Sequence, residues 1–433
     1  MLNENKKLIL INLCDKLIIL SVLFITFTIP FERSFDFPNQ LVQYLALLCL
    51  ITKTFLTRKI KLPPLFISIP FILYTIFSII TIFTSTYPDL SFKIFFREFL
   101  HYIIIFLCVL SLYNTQNRIK LIVLLIVIVS LFISIVDIIP YYLYILKPEL
   151  RERLIDLKFI FPDPDGSFRP LMPFHYHNRF ATYLMITSLY FFTLITFLKK
   201  SKNKIIFGVL SLFPIYCLIL TLTRAAWIGF ATGVLILLVY FVMKDRKKII
   251  LLLILLIVIV SVASFSGMIR NRFLSLFKKE SYKEISSTIK GRFLGYQGAL
   301  KMIKEKPLLG FGFGWKVFEK IYPNYMPSEE YQLKRHAHSN YLEIGTESGL
   351  ITLFFYLWFS IAIFYALIKL VLTSKKIETK EIAFSFIAIL ISIYVNGLGN
   401  FSLRKTIGMI IWITLGLSIS VYNMLKEKEN QNP

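Results

Sequence analysis

Three short runs of polar residues carry the candidate chemistry of this chain. The first, Arg335-His336-Ala337-His338-Ser339-Asn340-Tyr341-Leu342-Glu343, closes the one long polar stretch, about 268–348, and holds two of the five histidines. It stands where the chain re-enters an apolar helix, and polar groups at a bilayer edge are costly to bury and tend to be functional. The second is Arg224, set in Thr221-Leu222-Thr223-Arg224-Ala225-Ala226-Trp227 between two apolar segments with almost no loop to solvate it. A guanidinium held there can grip a lipid-linked phosphate with its planar fork. The structural alternative is snorkelling to the interface, with Trp227 as a belt aromatic. The third is Arg292, which opens a segment with apolar residues at 293, 296, 300 and 303, one face of a helix. Pro307 stops that helix, which is expected to lie along the membrane surface.

The elements that position these residues are membrane helices. The 433 residues are 56% hydrophobic and only 17% charged, whereas soluble domains carry roughly a quarter charged residues. Apolar runs of ~20 residues, enough to cross a ~30 Å hydrocarbon core, recur along the whole length. Twelve helices are predicted: about 8–30, 38–56, 64–84, 95–113, 119–141, 180–198, 204–222, 225–243, 248–267, 349–371, 380–399 and 405–425. The runs are continuous, as in 251–260, so helices are preferred to a barrel, whose strands would alternate apolar and polar residues. The expected fold is therefore an all-α polytopic membrane protein, one integral membrane domain over 1–433. Its first segment carries Asp15 and Lys16 and lacks a small-residue cleavage site, so it is read as a helix and not a cleaved signal.

The net charge of +24 follows topology. Basic residues cluster after every even-numbered helix: Lys53/Arg58/Lys59/Lys61, Arg118/Lys120, Lys199/Lys200/Lys202/Lys204, Lys244/Arg246/Lys247/Lys248 and Lys375/Lys376/Lys380. That is the positive-inside pattern and puts both termini in the cytoplasm. A polybasic surface for nucleic acid is the competing reading, and no aromatic-interleaved soluble module supports it. The links 142–179, 222–224 and 268–348 are then external, yet all three carry arginines, which calls for an anionic ligand on that side.

Other signals are weaker. Cys14, Cys49, Cys108 and Cys217 all fall within predicted helices without CxxC or zinc spacing, so neither disulfide nor metal is assigned. Gly310-Phe311-Gly312-Phe313-Gly314 follows a proline-broken helix and reads as a tight turn, not a nucleotide fingerprint. Asp163-Pro164-Asp165-Gly166 is ordinary turn chemistry. Asn340 with Glu343 fits a capping box, which His338 precedes. His101, near Arg97 and Glu98, is expected to be a satisfied bundle residue.

Three elements in order then carry a resemblance: Thr221-Leu222-Thr223-Arg224-Ala225-Ala226-Trp227; Arg292 with its amphipathic helix and Pro307-Leu308-Leu309-Gly310-Phe311-Gly312; and Ala337-His338-Ser339-Asn340-Tyr341-Leu342-Glu343 with Gly349-Leu350. Together they resemble the O-antigen ligase and O-antigen polymerase superfamily of bacterial inner membranes. The resembling core covers 170–371 and includes the 268–348 loop as a periplasmic loop; helices 1–5 (1–141) add hydropathy agreement, and 372–433 supplies the C-terminal helices. His175-Tyr176-His177-Asn178-Arg179 is more loosely similar to a family element ahead of the sixth helix. Thr223 stands where such families often have Ser, and Tyr296 where they often have Trp.

The resemblance implies a metal-independent, cofactor-free glycosyltransferase whose donor is an undecaprenyl-diphosphate-linked glycan. Such a donor already has a good leaving group, so cations that neutralise the departing diphosphate and a base for the acceptor hydroxyl suffice. A general base contributes ~10²–10⁴-fold and works best with a pKa near ambient pH, which suits histidine. On this reading Arg224 and Arg292 take the diphosphate and His338 the acceptor hydroxyl. Arg179, His177, Asn178, His336, Asn340 and Tyr296 are expected around the substrates. Ligation of O-antigen to the lipid A core is the leading expectation; polymerisation of the lipid-linked chain is the alternative. A transporter or flippase is a third class, disfavoured by the lack of an internal repeat and by few mid-helix charges beyond Asp15/Lys16 and Asp137.

Overall fold

A computed structural model describes residues 4–58, 62–162, 168–174, 176–244, 287–326 and 336–431. Among these, ten helices are long and apolar enough to cross a membrane, and Arg224–Tyr240 adds a shorter apolar one. The chain is an all-α multi-pass membrane protein. Eleven of the twelve predicted helices have a counterpart; the ninth, 248–267, lies outside the described residues. So do His175, Arg335 and the 163–166 turn.

The N-terminal half comprises α1 (Glu4–Thr28), α2 (Glu32–Thr57), α3 (Leu65–Phe83), α4 (Pro88–Ile94), α5 (Leu100–Leu112) and α6 (Gln116–Leu146). A π-helical turn, Phe95–Phe99, joins α4 to α5. Asp15 pairs with Lys53 at 2.6 Å, which ties α1 to α2. Asp137 accepts from the Cys217 thiol at 3.5 Å.

The link after α6 holds α7 (Arg151–Asp156) and an antiparallel pair, β1 (Ile160–Pro162) with β2 (Phe168–Pro170). Phe168 stacks on Tyr141 and Tyr144, with ring centroids 5.0 and 4.6 Å apart, so the pair folds back over the end of α6. There follow α8 (His177–Phe197), α9 (Ser201–Leu210), α10 (Leu212–Leu220) and α11 (Arg224–Lys244). The predicted seventh helix is thus broken in two at Ser211. Pro214 explains the break, since it offers no N–H to residue 210 and its ring crowds that carbonyl.

The C-terminal half holds α12 (Ser287–Glu305), α13 (Trp315–Ile321), α14 (Asn340–Thr373), α15 (Ile377–Gly399) and α16 (Lys405–Gln431). α8, α15 and α16 are largely buried and sit at the centre of the bundle. α12 packs on the protein through its small residues. Its protein-facing side is Gly295, Gly298, Ala299 and Met302, packed on Tyr322 and Met326, while Phe293 and Leu300 are exposed. The helix has apolar residues on two sides, and the small ones won the packed side because they let Tyr322 approach its backbone.

A backbone crossing fixes α14. Gly349 adopts φ +78, which breaks the helix and frees the carbonyls of Thr346 and Glu347. The glycine turn satisfies both: Phe311 N donates to Thr346 O at 3.0 Å and Gly312 N to Glu347 O at 2.8 Å. Leu350 N in turn donates to Pro307 O at 2.7 Å. A Cβ on Gly349 would lie 2.0 Å from Leu308 O, so only glycine permits the crossing.

Candidate active site

The last residues of α15, Asn396-Gly397-Leu398-Gly399-Asn400, are the meeting point. Asn396 and Asn400 donate to Thr182 Oγ1 at 3.1 and 3.0 Å, and Asn400 also reaches Asn178 O at 3.4 Å, which docks the start of α8. A Cβ on Gly397 would lie 2.6 Å from Asn340 Nδ2, at the start of α14. Tyr296 donates from its hydroxyl to Leu398 O at 3.0 Å, satisfying a carbonyl at a helix end that has no intrahelical partner. A Cβ on Gly399 would lie 3.3 Å from Ala225 Cβ and 3.9 Å from Arg292 Nη1. Arg292 and the start of α11, which Arg224 opens, therefore lie against one helix end, whose negative dipole favours cations. The starts of α8, α11 and α14 gather there too, and each contributes roughly half a positive charge.

The histidine loop lies beside this cluster. Gly295, three residues along α12 from Arg292, faces Ala337: a Cβ there would be 4.0 Å from Ala337 Cα. Ala337 is fully buried in a small core with Ala299, Met302, Phe318 and Tyr322, which anchors the loop to α12 and α13. His338 adopts φ +54, the left-handed region that few residues other than glycine enter, although histidine does so more than most. Glu343 holds that backbone in place. Its Oε1 accepts from Ala337 N at 2.7 Å and its Oε2 from Arg404 Nη2 at 3.1 Å. Glu343 is fully buried and Arg404 nearly so, and removing one partner of such a pair costs ~3–5 kcal/mol.

The capping-box reading of Asn340 and Glu343 is corrected by these contacts. Ser339 is the N-cap of α14, with no side-chain cap bond. Asn340 instead staples the helix to the 400–404 link, donating to Ser402 Oγ at 3.1 Å and accepting from Ser402 N at 2.8 Å.

The two histidines differ. Their rings meet edge to face at 4.1 Å, and both are half-buried. Burial pushes the His336 imidazole down to about 2, helped by His338 and by the Arg404 and Arg179 cations. It is therefore neutral at any ordinary pH and too weak a base to hold a proton. The Arg179 guanidinium lies over the Tyr176 ring at 4.7 Å, and the His177 ring sits against Phe161 at 5.6 Å. His177 thus faces the strand pair of the α6–α8 link.

Sequence reasoning missed the 396–400 segment and Arg404. A signal for Arg404 was available: Arg404-Lys405 lies in the link after the eleventh predicted helix, an outer link by the same count that flagged Arg224. Asn396 and Asn400 had none, because their role depends on helices far away in the chain.

Comparison with protein families matches residues 206–357 to the family described as O-Antigen ligase. That stretch runs from α9 into α14 and encloses Arg224, Arg292 and His338. Among curated proteins, the chain is 26% identical over 407 residues to a "ComP-specific O-oligosaccharyltransferase" of Acinetobacter baylyi, an alignment covering 90% of this chain and 69% of that protein.

Proposed function

The chain belongs to the O-antigen ligase superfamily, and from that premise we propose that it joins an undecaprenyl-diphosphate-linked O-antigen glycan to a sugar hydroxyl of the lipid A core. The observation that carries this reading is the approach of Ala225 and Arg292 to Gly399, beside the loop of His338. Two arginines and a histidine carried by neighbouring elements suit a reaction that releases a diphosphate and consumes a hydroxyl proton. The acceptor oxygen bonds to the anomeric carbon as the bond from that carbon to the diphosphate breaks. The electron pair leaves on the diphosphate, where Arg224 and Arg292 neutralise it. The hydroxyl proton passes to His338. Arg179, Asn178, Asn340 and Tyr296 shape the surroundings, and His336 serves as a neutral hydrogen-bonding group.

The site is proposed at the periplasmic face of the bacterial inner membrane, with both termini cytoplasmic. All four native cysteines are buried, so single introduced cysteines report accessibility cleanly. Lys304→Cys on α12 is expected to react with an impermeant maleimide in intact spheroplasts, and Lys426→Cys only after permeabilisation. Labelling of both from one side would overturn the orientation.

The named relative is specific for ComP, so the acceptor is what the functional test must resolve. In a deletion strain, lipopolysaccharide gels should show bare core while long undecaprenyl-linked chains accumulate. Single repeats on core, with long chains lost, would mean polymerisation. An unchanged lipopolysaccharide profile would remove the lipid A core as acceptor.

A further inference from the structure

Beside Trp315, whose ring carries the Arg404 guanidinium, lies a cavity of about 200 Å³, walled by α2, the π-helical turn, α13 and the start of α16. At ~30 Å³ per water it holds the volume of about six or seven waters, below the ~300–1,000 Å³ of drug-sized sites. That is the size class of one monosaccharide. Its walls offer both signs of charge and an aromatic face. Arg97 pairs with Asp36 at 3.1 Å, and Glu98 accepts from Trp315 Nε1 at 3.0 Å and from Lys405 N at 3.2 Å.

His101 also lines this cavity and is only 1% exposed. Its ring meets Tyr44 edge to face at 5.1 Å, and neither ring nitrogen has a hydrogen-bond partner among the described residues. The sequence expectation of a satisfied bundle histidine is therefore corrected. A neutral imidazole offers one donor and one acceptor, and burying both unmade is costly enough to require an explanation.

We propose that this cavity binds one sugar ring of the acceptor glycan, away from the hydroxyl that reacts; the proposal rests on the glycosyl transfer argued above. Sugar hydroxyls donate and accept at once, which suits a lining that mixes Asp36 and Glu98 with Arg97, Lys316, Lys405 and an imidazole. The indole of Trp315 supplies a face for the apolar side of the ring. The acceptor is preferred to the donor because the diphosphate is assigned to Arg224 and Arg292, neither of which lines the cavity. A chain of contacts joins the cavity to the histidine loop. Trp315 takes the Arg404 guanidinium over its ring at 5.0 Å, Arg404 pairs with Glu343, and Glu343 holds Ala337 N beside His338.

The test uses the full-length protein in nanodiscs, undecaprenyl-diphosphate-linked glycan as donor and lipopolysaccharide bearing core alone as acceptor. His101→Phe keeps the ring shape and removes both nitrogens; Gln40→Trp fills the cavity from α2. Each is expected to raise the acceptor KM about tenfold, the loss of roughly one good hydrogen bond, with the donor KM unchanged. The thermal midpoint of His101→Phe should not fall, because the nitrogens it removes have no partner in the protein. A fall, with acceptor KM unchanged, would make His101 structural. A rise in donor KM, or no change of acceptor KM in either variant, overturns the subsite. No transfer by the wild-type protein to core overturns the lipid A core reading and takes the subsite with it.

Discussion

His338→Ala is expected to lower turnover at least ~10²-fold, the effect of removing a general base, while the protein inserts and binds donor normally. Two further variants separate chemistry from geometry. His338→Gln can hydrogen-bond but cannot take the proton, and should be nearly as poor as Ala. His338→Asn tolerates the left-handed backbone of this position at little cost and should be equally inactive. The wild-type pH profile should show an acid limb, with the rate falling as pH drops. The sign follows from the role, since only the neutral ring can accept the hydroxyl proton. His336 cannot produce that limb, because its imidazole is held down at about 2. The limb should therefore persist in His336→Gln. Near-normal turnover of the Asn and Gln variants would reduce His338 to a positioning residue, and near-normal Ala would remove it from the chemistry.

Arg224→Ala and Arg292→Ala should each cost ~10²–10³-fold in kcat, the scale of deleting one group that stabilises developing negative charge. Lys should rescue only in part, because a point charge does not reproduce the guanidinium fork. The two effects should not add, since both cations are proposed to act on one diphosphate beside Gly399. If kcat falls and donor KM does not, the arginines act in the transition state; if donor KM rises alone, they only bind. Full activity of either Ala variant in a purified assay would exclude that residue from the site.

The helices were legible because their apolar runs are long and continuous, and the break at Pro214 had its proline in plain view. The polar residues were legible where they violated a rule. Arg224 lacked a loop, and His338 stood outside any capping role. The packed face of α12 was not legible, because a glycine-alanine face scores as weakly apolar, although small residues let Tyr322 close in. Glu343 was misread as a local cap because its partners, Ala337 and Arg404, include one 61 residues away. Asn396 and Asn400 end a helix and look unremarkable until Thr182, 214 and 218 residues earlier, is brought against them.

The crossing of the glycine turn over α14 has a bearing on how such chains can vary in length. Pro307, Phe311 and Gly312 are bonded to Leu350, Thr346 and Glu347, so the two strands of the crossing are held in fixed register. An insertion or deletion between Glu305 and Gly312 would slip that register and unpair three backbone groups at once. The same holds between Asn340 and Leu350. Length changes within these two stretches are thus expected to be rare among homologues. The spacing from Arg292 to the crossing, and from the crossing back to His338, then acts as a ruler between the proposed diphosphate and base positions.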